Sequence, residues 1–599
     1  MNPSKICGHR SSLLLASLLV GASLLGAADD AGTTTNSATV SAQSQTDEIA
    51  HLKATLAEQQ KQLQLLQQTL QNQQTLLEKA LSAKPATAIT PAASSGTFSG
   101  VGEVASTSPV IPTMAPKIPA ALPAAFPSPA AYPSPSAYPM PLPQGPASSA
   151  ATGNPCESQE SPGPVPAYVR LGSVCIVPVG FMDLTPFWRD KNAGSSMGSN
   201  FGSVPYNNVP NGNLKEARFS IQNSRLGLRV DGDWKGAHFI GYNEFDFNGT
   251  GGATNYSVTN GAVVPRLRLF WVDVRKDKWE FLAGQSWSMM VPNRNGISAL
   301  PGDLFYGQEI DINYLAGLTW TRQPGVRALF HPSNHVTFGF SVEQPDQYMG
   351  GSAGGSAIVL PAAWTGLAST QLDAGANISG ASFYAQPAFT PDFIAKVAFD
   401  FSRLHFDIAG VESNFRTTSL AAPFNHYDTN GGGVEFGANL ALMKNLRLIT
   451  TDFWSDGEGR YMFGQAPDFI VRANGALSPV HSGSTINGFE ATVKNTLLYA
   501  YYGGIFIERN VAIDTTGKPV GYGYTGSANS QNRAIQEITF GFNQTVWKDP
   551  RYGAINWMGQ YEWLNRNPWF VALGSPKETH DNTIYLDIRY TLPGSMPNF

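Results

Sequence analysis

The segment Val336-Thr-Phe-Gly-Phe-Ser-Val-Glu343 carries an apolar side chain at every second residue. Successive side chains of a β-strand point to opposite faces, so this alternation predicts a strand with one apolar and one polar face. The same period recurs at residues 434–442, 538–542 and 584–588. A soluble β-sandwich and a membrane barrel both produce this pattern, and the connections between the strands decide between them.

The connections between candidate strands alternate strictly in length. Short turns such as Lys444-Asn445 and Lys494-Asn495 separate long segments such as 291–319 and 347–380. Outer-membrane barrels have short periplasmic turns, long external loops and an even number of strands. Residues 166–599 are therefore predicted to form a closed transmembrane barrel of about 16 antiparallel strands, with both ends in the periplasm. The candidate strands are 176–190, 216–230, 236–249, 264–275, 278–290, 320–330, 335–346, 381–401, 404–416, 431–443, 446–457, 486–494, 496–508, 533–547, 553–569 and 582–592.

The composition agrees with strands that are apolar on alternate residues only. The 599 residues include 14% charged and 11% aromatic side chains, with 60 glycines. Mean hydropathy is −0.15. Beyond the N-terminus no apolar run approaches the roughly 18 residues that a spanning helix needs. A net charge of −5 gives no support for a nucleic-acid partner.

Residues 1–28 read as a secretory signal peptide. Lys5, His9 and Arg10 precede an apolar stretch, and Gly26-Ala27-Ala28 offers a small-residue cleavage site. The alternative is a short membrane anchor. An exported chain is consistent with a barrel in the outer membrane.

The segment between the signal and the barrel divides into three parts. Residues 29–46 are polar and predicted to be disordered. Residues 47–82 carry five heptads, which predict a periplasmic coiled coil that needs partner helices. The alternative is a single helix lying on another domain. Residues 83–165 are rich in Pro, Ala and Ser, which predicts an extended linker. The seam positions of the heptads include Ile49, Leu56, Leu63, Leu70 and Leu77.

Cleavage after Ala28 leaves two cysteines, Cys156 and Cys175. In an oxidising periplasm this pair is predicted to form a disulfide. Two free thiols and a metal site are the alternatives, and no partner residues at metal-ligand spacing support the second.

The chain shows no catalytic or cofactor motif. It lacks Gly-x-Ser-x-Gly, a phosphate-binding Gly-rich loop with Lys, and His-Glu-x-x-His. We therefore predict no enzyme activity, no cofactor and no metal, with a barrel enzyme that uses a Ser/His pair as the alternative.

Arginines on the early strands alternate with apolar residues, so they belong to the polar face of each strand. A charge facing lipid costs about 2–4 kcal/mol near the bilayer midplane, so these side chains are expected to line the lumen. There they would form a path for anions. Alternatively, they pair with lumen carboxylates such as Glu343, Asp273 or Glu435 and only brace the wall. The arginines are Arg218, Arg225, Arg229, Arg266, Arg268, Arg322 and Arg327.

Several segments resemble the DcaP-like trimeric porins. The resemblance implies a sixteen-stranded homotrimer that takes up small, often negatively charged molecules; phosphate-selective porins share this architecture and are the nearest competitor. Outer-membrane barrels usually end on an aromatic residue, but Pro593-Gly-Ser-Met-Pro-Asn precedes Phe599, which leaves its role in assembly open. The segments are Leu282-Ala-Gly-Gln-Ser-Trp-Ser288, Arg322-Gln-Pro-Gly-Val-Arg327, Val336-Thr-Phe-Gly-Phe-Ser-Val-Glu-Gln-Pro345, Thr390-Pro-Asp-Phe-Ile-Ala-Lys396 and Leu404-His-Phe-Asp-Ile-Ala-Gly410.

In sixteen-stranded trimeric porins the third external loop folds inward and narrows the pore. Residues 291–319 hold this position, and Asp303, Glu309 and Asp311 are expected to face the arginines across the channel. The predicted function is passive diffusion of small hydrophilic, anionic solutes through a homotrimer in contact with outer-membrane lipid and lipopolysaccharide. The alternative is an anchor whose coiled coil tethers the membrane, with peptidoglycan as a partner.

Overall fold

The computed structural model describes residues 168–249, 263–304, 308–351, 357–373 and 388–595. Sixteen long strands follow one another in chain order, and each is antiparallel to the next. The strands are β1 (Val174–Arg189), β2 (Glu216–Ser220 and Arg225–Trp234), β3 (Ala237–Gly249), β4 (Val264–Lys276), β5 (Trp279–Trp287), β6 (Arg322–Ser333), β7 (Val336–Glu343), β8 (Asp392–Asp400), β9 (Leu404–Thr418), β10 (His426–Met443), β11 (Leu446–Asp456), β12 (His481–Val493), β13 (Thr496–Ile507), β14 (Asn532–Asp549), β15 (Gly553–Pro568) and β16 (Thr579–Thr591).

The barrel is closed because β1 pairs with the last strand as well as with the second. Phe187 of β1 lies opposite Tyr585 of β16 on one side and opposite Arg218 of β2 on the other. The predicted barrel of sixteen antiparallel strands is therefore confirmed. One strand, β2, is interrupted between Ser220 and Arg225.

Short turns and long loops occupy opposite ends of the barrel, as the sequence predicts. Lys235 and Gly236 join β2 to β3 with φ of 50° and 75°, the left-handed pair that a two-residue hairpin turn requires. Lys494 adopts a φ of 56° in the turn between β12 and β13, at the same end. At the other end β9 and β10 extend further than expected, so only residues 419–425 connect them.

The two faces of the wall differ in polarity. Phe338 and Phe340 of β7 are half exposed on the outer face, whereas Thr337 and Ser341 are buried on the inner face. The same contrast recurs around the ring, so the outside is a band of exposed apolar side chains. A surface of this kind is suited to contact with lipid chains. Exposed members on other strands include Phe219, Phe270, Val326, Trp454, Phe540 and Ile588.

The interior contains apolar packing as well as polar groups. Met289 and Ile297, from the long segment between β5 and β6, pack in one buried cluster with Leu329 of β6 and Ile394 of β8. Inward-facing apolar residues of the wall therefore serve as the base on which long loops dock, and burial of their apolar surface stabilises the loops inside the barrel.

Two short hairpins at the long-loop end were not predicted. Phe469–Val471 pairs with Leu477–Pro479, and Asn510–Ile513 pairs with Pro519–Tyr522. Strands of three or four residues are too short to show a clear period of two, which explains why the sequence pattern missed them.

The predicted signal peptide, disordered segment, coiled coil and linker lie outside the described residues, as does Phe599. These boundaries therefore stay predictions. Among the described residues, no helix has both the length and the apolar character needed to span a membrane.

Candidate functional site

Residues 288–304 and 308–321, called the constriction loop below, lie between β5 and β6 in the interior of the barrel. Near its start, the amide of Met289 donates to Glu343 of β7 (2.9 Å) and that of Asn293 donates to Asp407 of β9 (2.8 Å). Both carboxylates belong to the inner face of the wall. Backbone donors on the loop are thus satisfied by wall carboxylates, which fixes its course inside the barrel.

The second half of the loop reaches the far side of the ring. The amide of Ala316 donates to Glu537 of β14 (2.6 Å), and the amide of Ile310 donates to Gln560 of β15 (2.7 Å). At Gly503 of β13, an added Cβ would lie 2.0 Å from the carbonyl oxygen of Ala316. Only glycine allows the loop backbone to approach the wall this closely. The third long loop therefore has the inward course expected from the sequence.

Tyr314 of the constriction loop joins arginines from two strands. Its hydroxyl accepts hydrogen bonds from Arg225 of β2 (2.8 Å) and from Arg268 of β4 (3.1 Å). Burial alone would raise the pKa of Tyr314, but the two guanidinium groups outweigh it and the pKa is lowered. The tyrosine thus fixes the loop against the strands that carry the arginines.

The acidic partners of these arginines come from β3. Arg268 forms ion pairs with Glu244 (2.8 Å) and Asp246 (2.7 Å), and Arg266 pairs with the same Asp246 (2.6 Å). Arg268 is buried, whereas a quarter of the Arg266 side chain is exposed. These contacts show that part of the predicted arginine path also braces the wall, although with partners other than Glu343, Asp273 or Glu435.

Arg322 differs from the other arginines of this region. It is 2% exposed, and its Nε and Nη1 atoms have no hydrogen-bond partner. Its guanidinium carbon lies 5.2 Å from the ring centre of Trp287 and 6.0 Å from that of Trp320. The nearby charges include Arg266 and Arg268, which repel it. Within the described residues it forms no ion pair. The four residues Arg225, Arg266, Arg268 and Arg322 are called the arginine cluster below.

The other three predicted arginines lie apart from this cluster. Arg218 pairs with Glu216 (2.7 Å), and its side chain is 45% exposed. Arg229 pairs with Asp231 (2.6 Å). Arg327 is buried and donates to Ser286 (2.6 Å). The sequence pattern therefore predicts an inward-facing or strand-end position for all seven arginines, but only four of them lie close together.

The expected facing of loop carboxylates and arginines holds for Asp303, on which the charge of Arg229 acts. Among the described residues, no ion pair joins the three loop carboxylates to the arginine cluster. Asp303 accepts a hydrogen bond from Ser298 of the same loop (2.9 Å), and burial raises its pKa. Asp311 accepts from the amide of Ser199 (2.8 Å), and burial raises its pKa as well. The arrangement differs because Asp303 bonds within its own part of the loop, whereas Asp311 also accepts from the hydroxyl of Tyr585 on β16 (3.3 Å).

Glu309 lies among further carboxylates on that far side. The charged groups that act on it are Glu537 of β14, Glu490 of β12 and Arg294 of its own loop. Burial, together with the two facing carboxylates, raises the pKa of Glu309 well above its ordinary value. The arginine cluster at β2–β6 and this acidic group at β12–β14 therefore lie on different parts of the wall.

Sequence reasoning missed three side chains that shape the arginine cluster. Trp287, Tyr314 and Trp320 contact one another edge to face, with ring centres 5.3 to 6.2 Å apart. Trp287 and Trp320 stand near the ends of the candidate strands 278–290 and 320–330, where the sequence gives no signal of an inward-facing role. Tyr314 lies in a loop without periodicity, so no sequence signal points to it.

Cys175 of β1 is buried and disulfide-bonded. Its predicted partner Cys156 lies outside the described residues, so the pairing stays a prediction. In the part of the chain that is described, no group of three or more His, Cys, Asp and Glu side chains has an arrangement that could hold a metal ion.

Comparison with solved structures identifies the fold. The outer-membrane channel DcaP of Acinetobacter baumannii matches with a TM-score of 0.51 at 16% identity, over 71% of this chain and 100% of that chain. The chain has the fold of the DcaP channel. The fold expected from the resemblance to DcaP-like porins is thereby confirmed.

Two other matches are weaker. An anion-selective porin from Comamonas acidovorans has a TM-score of 0.38 at 12% identity, over 70% of this chain and 99% of that chain. OmpT of Vibrio cholerae has a TM-score of 0.39 at 10% identity, over 71% of this chain and all of that chain. Likenesses this weak carry no functional argument. No family model and no curated protein matches the chain.

Proposed function

We propose that the chain is an outer-membrane porin through which small anionic solutes diffuse passively. The barrel fold and the exposed apolar band of its outer wall support a position in the membrane. The observation that carries the anion preference is Arg322, a buried guanidinium with two nitrogens that have no hydrogen-bond partner among the described residues. A buried polar group is normally paired, and an anion is the ligand that would pair this one.

The charge balance of the arginine cluster supports the same proposal. Of its four guanidinium groups, those of Arg266 and Arg268 form ion pairs with Glu244 and Asp246, whereas Arg225 and Arg322 form none among the described residues. Inside a low-dielectric wall an uncompensated charge acts more strongly than in bulk water. A passing anion would exchange water for fixed N–H donors, whereas a cation would meet a barrier.

The exposed and buried members of the cluster have different parts in this mechanism. Arg266 presents part of its side chain to the lumen, where an arriving anion first meets positive charge. Arg268 is held by two ion pairs and keeps the neighbouring groups in place. Arg322 has donors available for the anion itself. Diffusion also requires that binding remain weak enough for release.

We propose that the assembly is a homotrimer with its coiled coil in the periplasm. The predicted heptads of residues 47–82 support this, because a helix of this length needs partners. Deleting residues 47–82 is expected to leave heat-resistant trimers on semi-native gels, since the barrels themselves also associate. Monomers alone would show that the coiled coil is the only contact between the subunits.

Conductance in planar bilayers tests the proposed function. Purified protein is expected to produce discrete current steps, and liposomes containing it should admit a small carboxylate faster than a neutral solute of the same size. An anchor that tethers the envelope would give no current steps. Equal uptake of the two solutes would retain the porin but contradict its anion preference.

A further inference from the structure

Glu309 occupies an unusual position on the constriction loop. The residue is 8% exposed, and among the described residues neither carboxylate oxygen has a hydrogen-bond partner other than the amide of Glu309 itself. Glu537, by contrast, accepts from the amide of Ala316 (2.6 Å) and from Thr539 (2.7 Å). An ionised carboxylate that is buried without donors from other residues is strongly disfavoured, so the docked loop favours the protonated form of Glu309.

The groups that face Glu309 do not neutralise it. The loop itself contributes Arg294, but both terminal nitrogens of that guanidinium contact the carboxylate of Glu490 on β12 (2.8 and 3.1 Å). The remaining charged neighbour is Glu537 of β14. The hydroxyls of Tyr499 and Tyr501 on β13 also lie within its electrostatic reach. A second guanidinium, that of Arg447 on β11, also acts on Glu490. Three carboxylates thus face two guanidinium groups, and full ionisation would bury one unbalanced negative charge.

The backbone on either side of Glu309 is what docks the loop on this wall. The amide of Gln308 donates to the hydroxyl of Tyr501 (3.1 Å), and the amide of Ile310 donates to Gln560 (2.7 Å). Tyr499 donates to the same oxygen of Gln560 (3.0 Å). Repulsion between an ionised Glu309 and the carboxylates of the wall would therefore weaken these two amide contacts directly.

We propose that Glu309 is a protonation latch of the constriction loop: the loop stays docked on β13–β15 while this carboxyl is neutral and is released when it ionises. The inference rests on the proposed channel function for its consequence, a wider passage at higher pH. The raised pKa of Glu309 is consistent with a neutral carboxyl in the docked loop.

The direction of the pH effect follows from linkage. A released Glu309 would titrate near its ordinary value of about 4.3. In the docked loop Glu309 keeps its proton to a higher pH than in the released loop. At a pH between these two pKa values, docking is therefore accompanied by the uptake of a proton. Docking is therefore strongest in acid and weakens as pH rises through that interval.

Hydrogen exchange followed by mass spectrometry tests the latch without using the channel activity. Amides of peptides covering residues 308–316 are compared at pH 6 and pH 8.5 in the full-length protein, after correction for the chemical exchange rate. The wild type is expected to lose protection at the higher pH, whereas Glu309→Gln should keep it. Equal loss in both proteins, or no loss in either, would overturn the proposal.

Matched variants keep this test decisive. Asp303→Asn removes another buried carboxyl of the same loop, but one whose hydrogen bond is internal to the loop, so its pH response should equal that of the wild type. Glu537→Gln retains an oxygen for the Ala316 amide and removes the facing charge, so it should weaken the response even if Glu309→Gln fails to fold. A Glu537→Gln protein with an unchanged response would also overturn the latch.

Single-channel conductance separates the latch from the proposed function. The wild type is expected to conduct more at pH 8.5 than at pH 6, and Glu309→Gln should show a smaller change. A pH-independent current with pH-independent exchange would refute the latch and leave the porin standing. A protein with pH-dependent exchange and no current would refute the porin and leave the latch standing.

Discussion

The guanidinium carbon of Arg322 lies 5.2 Å from the ring centre of Trp287, and that of Arg268 lies 5.5 Å from the same ring centre. Two buried arginines therefore contact one indole ring, but only Arg268 has carboxylate partners. Stacking on an aromatic ring stabilises a guanidinium without occupying its N–H donors. This difference between two neighbouring arginines gives the lumen one group that is structural and one that is available for an anion.

Replacing the two arginines by methionine should affect stability in opposite ways. Arg268→Met leaves Glu244 and Asp246 without one of their partners and should destabilise the barrel by about 3–5 kcal/mol. Arg322→Met removes a charge that has no ion pair, so its effect should be small or stabilising. The temperature at which the folded band is lost on semi-native gels measures both. Equal losses would show that Arg322 also has a structural partner.

Tyr314→Phe should loosen the constriction loop while leaving the barrel wall intact. The substitution removes the acceptor of Arg225 and Arg268, and leaving buried donors unpaired costs about 1–3 kcal/mol each. Single-channel recordings should show more frequent current fluctuations than the wild type. Tyr502→Phe, on the outer face of β13, is the control and should record like the wild type. Identical recordings from both variants would indicate that Tyr314 does not anchor the loop.

Asp346, beyond the end of β7, predicts a pH-dependent change at the long-loop end. Burial and the facing Asp373 raise the pKa of Asp346 to about 8. A carboxyl with a raised pKa favours the folded loop in acid, and this contribution falls as pH rises from about 4 towards about 8. Limited proteolysis should therefore cut residues 344–391 faster at pH 8.5 than at pH 5.

A matched pair of variants checks this assignment. Asp346→Asn should make the proteolysis rate independent of pH, apart from the protease's own pH profile on an unfolded substrate. Asp428→Asn replaces an exposed carboxyl of β10 and should retain the wild-type response. If Asp346→Asn retains that response too, another group titrates in the loop.

The barrel was predictable because each strand separates two different environments. Alternation at residues 336–343 and the contrast between short turns and long loops depend on local sequence, and both are present in the structure. The hairpins at 469–479 and 510–522 were missed because strands of three or four residues contain too few positions to define a period. The greater length of β9 and β10 was missed because the two strands remain paired through polar residues beyond the apolar part of the wall.

The site was only partly predictable. The alternation of residues in β4 predicted that Arg266 and Arg268 lie on the inner face. It did not predict the register shift in β4, which turns both Arg268 and its neighbour Leu269 inward. The position of Asp311 followed from the path of the loop, which depends on wall contacts far along the chain. Local patterns therefore found the charged side chains and not the partners that define their roles.

Reversal potentials in a salt gradient test the central claim most directly. The wild-type channel is expected to be anion-selective, and Arg322→Gln should reduce that preference while the folded trimer remains intact. If Arg322 stabilises the passing anion by about 1.4 kcal/mol, the loss is about tenfold. A cation-selective wild type, or an Arg322→Gln channel with an unchanged reversal potential, would contradict the account.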